Sequence, residues 1–304
     1  MLDIALLGTG GMMPMPSRFL TAMMARLNGR LLLIDCGEGT QVTLKSLGWG
    51  FKAIDVICFT HYHADHISGL PGMLLTIGNS GRTEPLTLVG PSGLKHIVEG
   101  IMRIAPEIPF PIEFVEIDTP NEEPLVINDF YINIAQADHT IKCFAYRIDV
   151  RRKGKFDVKK ASALKVPRNL WSLIQREGQI EFEGKIITSD MVMGEPRKGI
   201  SVSYCTDSRP LNSISKFISN SDLFICEGMY GENEKKSKAI ENKHMLFSEA
   251  AKLALEGNVS ELWLTHFSPS ISEPELFLDN AKSIFENTLL GEDRMCKTLF
   301  FPEK

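Results

Sequence analysis

The segment His61-Tyr62-His63-Ala64-Asp65-His66 constrains this 304-residue chain more than any other. It follows directly on the apolar run 55–60, which reads as a buried strand. In extended backbone, residues two apart face the same way, so His61 and His63 can converge on one ion. Asp65 and His66 lie where the chain must turn and can be aimed at a second. Imidazole with carboxylate, and no thiolate, suits Zn2+ or another borderline divalent ion in an open catalytic site.

The remaining histidines support a metal site. There are seven in all: His61, His63, His66, His96, His139, His244 and His266. His139 ends the strand-like run 134–138, and His266 ends the run 262–265. Asp207 stands in the same relation to residues 203–205. Loops at strand ends are where α/β proteins build sites. His96 falls within the helical pattern 94–104 and reads as a structural or surface residue.

Short apolar runs at 4–7, 30–34, 55–60, 86–89, 112–117, 130–135, 143–148, 200–205, 223–226 and 261–265 predict strands. Helical spacing at 40–47, after Gly69, and at 94–104, 211–218, 248–256 and 274–287 alternates with them, which predicts an α/β protein with sheets covered by helices. No repeat or linker divides the chain, so a single domain over 1–304 is expected. No apolar run approaches the ~18–20 residues that cross a bilayer, which predicts no membrane association. The start, Met1-Leu2-Asp3, lacks the basic region of a signal peptide. Six scattered cysteines without a CxxC pair point to buried thiols and a cytoplasmic protein.

The order His-x-His-x-Asp-His, then His139, Asp207 and His266, resembles the metallo-β-lactamase superfamily. Leu7-Gly8-Thr9-Gly10-Gly11, Asp35-Cys36-Gly37-Glu38-Gly39-Thr40-Gln41, His66-Ile67-Ser68-Gly69-Leu70-Pro71-Gly72, Ala137-Asp138-His139-Thr140 and Leu264-Thr265-His266-Phe267-Ser268 narrow the likeness to the ribonuclease Z family. That resemblance implies a metallo-β-lactamase-type αβ/βα sandwich, two mixed sheets flanked by helices with a protruding basic arm. It also implies a homodimer and two Zn2+ ions. One ion would take His61, His63 and His139, the other Asp65, His66 and His266, with Asp207 bridging. The implied activity is removal of the 3′ trailer of precursor tRNA by metal-hydroxide attack, leaving a 3′-hydroxyl. Asp65 would orient or deprotonate the nucleophile. His244, paired with Glu227, would protonate the leaving oxygen, a sensible use of an imidazolium held by a carboxylate. Two ions suit such a displacement on chemical grounds, because they activate a water and stabilise both attacking and leaving oxygens. Four ligands close a structural zinc site, and seven candidates exceed that number.

Three departures from the family pattern leave the metal residues intact. The usual Gly-Asp-Thr is Thr206-Asp207-Ser208, the Arg-Tyr after the last histidine is replaced near Ser270-Ile271, and the arm's Gly-Pro is absent from Val166-Pro167-Arg168-Asn169. They keep open an alternative, a related binuclear metal phosphodiesterase acting on a smaller substrate such as a cyclic nucleotide.

The formal net charge of −5 excludes a protein coated in positive charge. It conceals an asymmetry, however. Residues 147–168 hold nine basic and two acidic residues, a net +7 that leaves the remainder at −12. This run coincides with the place where the ribonuclease Z family carries its tRNA-binding arm. An arm at 149–170 is expected, forming an exposed basic hairpin. Arg151, Arg152, Lys153, Lys155, Lys159 and Lys160 would there grip phosphates without reading sequence. The Gly8–Gly11 turn offers either backbone N–H groups to the scissile phosphate or only a tight turn.

Overall fold

Apolar runs of alternating sidedness build two seven-stranded sheets in the computed structural model, which describes residues 1–105 and 107–302. The strands are β1 (Leu2–Gly8), β2 (Ala22–Leu27), β3 (Arg30–Ile34), β4 (Ile54–Cys58), β5 (Leu86–Pro91) and β6 (Ile112–Ile117). There follow β7 (Leu125–Ile127), β8 (Phe130–Ala137), β9 (Cys143–Arg152), β10 (Gln179–Phe182) and β11 (Lys185–Thr188). The last are β12 (Arg197–Cys205), β13 (Leu223–Glu227), β14 (Leu262–Thr265), β15 (Thr288–Leu290) and β16 (Cys296–Leu299).

The chain divides into two units, residues 1–150 with 201–300, and residues 151–200 with the terminal segment from Phe301. In the first unit, one sheet runs β16-β1-β2-β3-β4-β5-β6, antiparallel as far as β3 and parallel beyond it. The other runs β15-β14-β13-β12-β9-β8-β7, parallel from β15 to β12 and antiparallel from β9 to β7. Both sheets are therefore mixed.

Alternation covers both faces. Leu31 and Leu33 of β3 join a cluster with Leu44, Leu70, Leu74 and Leu94 from the helices Thr40–Leu47, Leu70–Asn79 and Leu94–Ile101. Leu32 and Ile34, equally buried, point the other way. The second sheet sets Phe224, Cys226, Leu262 and Leu264 against the helices Asn212–Phe217, Phe247–Glu256 and Asp279–Lys282. Hydrogen bonds join the sheets across their inner faces, Thr21 Oγ1 to Tyr204 Oη at 3.0 Å and Tyr146 Oη to the carbonyl of Phe59 at 2.7 Å. Buried strands with helices outside are the layered arrangement that alternation of strand and helix predicts.

Five cysteines are buried and unpaired, and Cys296 alone is exposed among the six. Among the described residues no helix is long and apolar enough to cross a membrane. The helix expected over 274–287 is broken into a 3-10 turn at Pro274–Phe277 and one helical turn at Asp279–Lys282.

The second unit has its own small core, in which Ala161, Val166, Ile174, Ile180, Ile187 and Val192 pack with Phe156 and Trp171. Asp157 caps the helix Val158–Ala163 by accepting from the amides of Lys159 and Lys160. A second helix, Arg168–Glu177, leads into the β10–β11 hairpin. Residues 151–170 are thus no bare hairpin. They form the helical first part of a unit that continues to Ile200. Over residues 151–200 it holds twelve basic and six acidic residues, a net +6 against −11 for the rest of the chain. Lys153, Lys155, Lys159 and Lys160 are exposed, as is Arg151, while Arg152 is half-buried.

Candidate metal centre

Five strand ends of the first unit converge on one cluster. His61 and His63 follow β4, and the single helical turn Ala64–Ile67 carries Asp65 and His66. His139 follows β8, Asp207 follows β12, Glu227 ends β13 and His266 follows β14. His96 lies on the exposed face of its helix.

The donors fall into two groups. His61 Nε2 lies 3.0 Å from His63 Nδ1, which is 3.2 Å from His139 Nε2. Asp65, His66 and His266 form the second group, with His66 Nε2 and His266 Nε2 3.1 Å apart. Asp207 stands between them. Its Oδ2 faces His61 Nε2 at 3.8 Å and His139 Nε2 at 3.6 Å, while Oδ1 faces His66 Nε2 at 3.2 Å and His266 Nε2 at 3.1 Å. Within each group the donor atoms all lie within 4.8 Å of one another.

The arrangement fits metal ions. Four donors held at 2.0–2.1 Å around a tetrahedral ion sit about 3.3 Å from one another. Asp207 Oδ1 is buried and without a hydrogen-bond partner despite two ring nitrogens within 3.2 Å, and His266 Nδ1 is likewise unpartnered. A buried carboxylate oxygen and ring nitrogens set around such gaps are suited to a cation lying between them.

Surrounding groups aim the rings. The Asp35 carboxylate accepts from the Thr60 amide at 2.8 Å and meets His66 Nδ1 at 2.9 Å. The Thr60 hydroxyl gives its one hydrogen to Asp35, so His61 Nδ1, 3.0 Å away, donates to Thr60 and leaves Nε2 free to coordinate. His139 Nδ1 donates to the Lys243 carbonyl at 3.2 Å with the same result. Asp35, Asp207 and His266 hold φ values of 58°, 53° and 57°, a left-handed backbone uncommon outside glycine.

Burial pushes the imidazoles of His61, His63 and His139 down, which keeps their lone pairs available at neutral pH. Burial opposes charge on His66 as well, yet Asp207 and Asp35 together hold it well above the usual range. Burial works against the Asp65 carboxylate, and the hydrogen bond from His266 and the charge of His66 outweigh it, so that Asp65 stays ionised. Asp65 Oδ2 also accepts from the Met12 amide at 2.7 Å.

On the open side, a cleft of about 320 Å3 is lined by His63, Asp65, His139, Asp207, His244 and His266, with Met12, Thr140, Tyr230, Glu241 and Asn242 around it. His244 Nδ1 lies 3.0 Å from Glu227 Oε2 and 3.9 Å from Asp207 Oδ2. Glu227 is fully buried and also accepts from the amides of Ser208 and Met245. Burial pushes the His244 imidazole down, but the charge and hydrogen bond of Glu227 more than offset this and raise it to about 9.

Of the two readings of the glycine-rich turn, the geometry takes the structural one. The amides of Thr9 and Gly10 bond to the Phe19 carbonyl and that of Gly11 to the Phe267 carbonyl, which leaves none of them for a phosphate. A Cβ on Gly11 would lie 2.6 Å from the His266 ring. Sequence reasoning did not give roles to Asp35, Thr60 or Met12. An aspartate closing the buried run 30–34 was the available signal for the first.

Two mixed sheets with helices outside, and a His/Asp cluster where their strands end, define a metallo-β-lactamase-fold protein. Solved structures agree on the fold. Human tRNase Z, short form, superposes with a TM-score of 0.69 at 23% identity, covering 99% of this chain and 100% of that one. A metallo-β-lactamase fold protein from Bacillus subtilis gives 0.68 at 20%, covering 97% and 98%. More particularly, the chain belongs to the ribonuclease Z family: it is 57% identical to Ribonuclease Z of Clostridium kluyveri over 100% of both chains. Ribonuclease Z of Clostridium acetobutylicum is 55% identical over 99% of each. A family model described as Anti-Pycsar protein Apyc1 matches residues 2–149.

Proposed function

We propose that this chain is a metal-dependent endoribonuclease that removes the 3′ trailer of precursor tRNA, leaving a 3′-hydroxyl on the tRNA. The observation that carries the metal chemistry of this reading is the position of Asp207, with one carboxylate oxygen toward each group of donors. Two Zn2+ ions would be held by His61, His63 and His139 and by Asp65, His66 and His266, with Asp207 shared. When bound, the pair supplies an activated water and charge stabilisation for the oxygens of an in-line displacement.

The chain's own residues then have distinct tasks. Asp65, kept ionised and fixed by the Met12 amide, orients the attacking water and accepts its proton. His244, held as imidazolium by Glu227, gives a proton to the 3′-oxygen as the P–O bond breaks. The phosphate stays on the trailer. Lys153, Lys155, Lys159 and Lys160, together with Arg151 and Arg152, hold tRNA phosphates through charge and carry no sequence preference. The working form is a cytoplasmic homodimer.

Replacing Lys153, Lys155, Lys159 and Lys160 together with alanine tests the substrate. Loss of precursor tRNA cleavage with retained hydrolysis of a small model diester supports tRNA as substrate. No effect on either favours a small phosphodiester such as a cyclic nucleotide. Size-exclusion chromatography with light scattering tests the dimer.

A further inference from the structure

We propose that Arg209 is a positioning residue for the general acid. It has no place in the cleft lining, and it lies behind His244. Its Nη1 donates to the His244 carbonyl, and the same guanidinium forms a two-pronged pair with Glu249, at 2.9 Å to Oε2 and 2.5 Å to Oε1. Glu249 Oε2 in turn accepts from the Leu246 amide at 3.1 Å. One planar group therefore grips both ends of the segment 244–246 and ties it to the helix Phe247–Glu256.

The other end of the clamp is fixed as well. The Arg209 amide donates to the Asp138 carbonyl at 2.9 Å, and the Asp138 amide donates to Ser208 Oγ at 3.0 Å. Arg209 thus ties the two strand ends that carry His139 and Asp207 to the segment between helices that carries His244. The Arg209 and Glu249 side chains are 14% and 11% exposed, so water weakens this pair little. The nearby Lys243–Asp138 pair is 40% and 38% exposed, and solvent screening makes it the weaker tie. Lysine cannot replace the fork, because one ammonium cannot reach the Glu249 oxygens in parallel and the His244 carbonyl together.

This inference rests on the reading of His244 as general acid, and the test separates the two. Two diesters are compared with the fully metallated enzyme: precursor tRNA, whose leaving 3′-oxygen needs a proton, and bis(p-nitrophenyl) phosphate, whose leaving phenolate does not. Arg209→Gln is expected to lower kcat on precursor tRNA about 100-fold relative to kcat on the nitrophenyl diester, with the KM for tRNA within about threefold of wild type. Arg209→Lys should recover part of the loss. Thermal unfolding reports whether the unpaired Glu249 weakens the fold. If it does, the exchange Arg209→Met/Glu249→Leu removes both charges and is expected to give the same split between substrates. An equal fall on both substrates, or none on either, overturns the proposal. His244→Ala run in parallel tells which idea failed. If it separates the substrates and the Arg209 variants do not, only the positioning role falls; if it does not separate them, the general-acid reading falls and takes the proposal with it.

Discussion

Asp35 Oδ2 lies 2.9 Å from Nδ1 of His66, and both side chains are wholly buried. The carboxylate fixes the ring so that Nε2 faces the Asp65–His266 group, and through Thr60 it reaches His61 in the other group. One residue outside the ligand set thereby orients a histidine in each half of the centre. Asp35→Asn keeps an acceptor but loses the charge and one of the two oxygens. Metal affinity, measured by competition with a chromogenic chelator, should fall about 10- to 100-fold. Unchanged affinity would remove Asp35 from this role.

Gly11 is packed so closely on the His266 ring that a Cβ would sit 2.6 Å from its Cε1. Gly11→Ala should push the ring off its position, at an overpacking cost of about 1–3 kcal/mol. The folded variant should then carry about one ion per chain fewer than the parent, by elemental analysis. An undiminished ion count would show that the ring yields without losing its ligand position.

The fold was legible where pattern and context agree. β3, β4, β13 and β14 are short, mostly apolar runs that end in or soon before polar residues, and both faces of each are covered. β2 escaped detection because Ala22-Met23-Met24-Ala25 favours helix, and only its place between β1 and β3 makes it a strand. The Asn28-Gly29 pair, with φ of 51° and 80°, is the tight hairpin turn that could have revealed it. The seven candidate donors were legible because four stand together in one hexapeptide and three follow strand-like runs. The aiming groups were not, since the side-chain hydrogen bonds of Asp35 and Arg209 reach 25 to 40 residues along the chain and no local periodicity records them. The basic run was read as a hairpin from its charge and from its coincidence with the family's arm. Trp171, Ile174 and Ile180, which give it a core, lie beyond residue 170.

Glu227 sets the charge of His244. Because the imidazole is raised to about 9 in the folded chain, above the free value of about 6.5, its pairing stabilises the fold fully below pH 6.5. That contribution fades as pH rises through about 9. Glu227→Gln removes the charge that outweighs burial, so the alkaline limb of kcat on precursor tRNA should move to lower pH by about one unit or more. The stability difference from the parent should likewise be largest in acid and shrink above pH 8 to 9. An alkaline limb that does not move would dissociate Glu227 from the proton donor.

The central claim is that the His/Asp centre cuts precursor tRNA by metal-dependent hydrolysis. A precursor tRNA lacking an encoded CCA, labelled at its 5′ end, is incubated with the enzyme before and after chelation, and the product ends are mapped. The account predicts one cut at the start of the trailer, a 3′-hydroxyl on the tRNA and a 5′-phosphate on the trailer. Activity should vanish on chelation and return when Zn2+ is added back. A fully metallated protein that leaves the precursor intact, or a product ending in a cyclic phosphate, would contradict it.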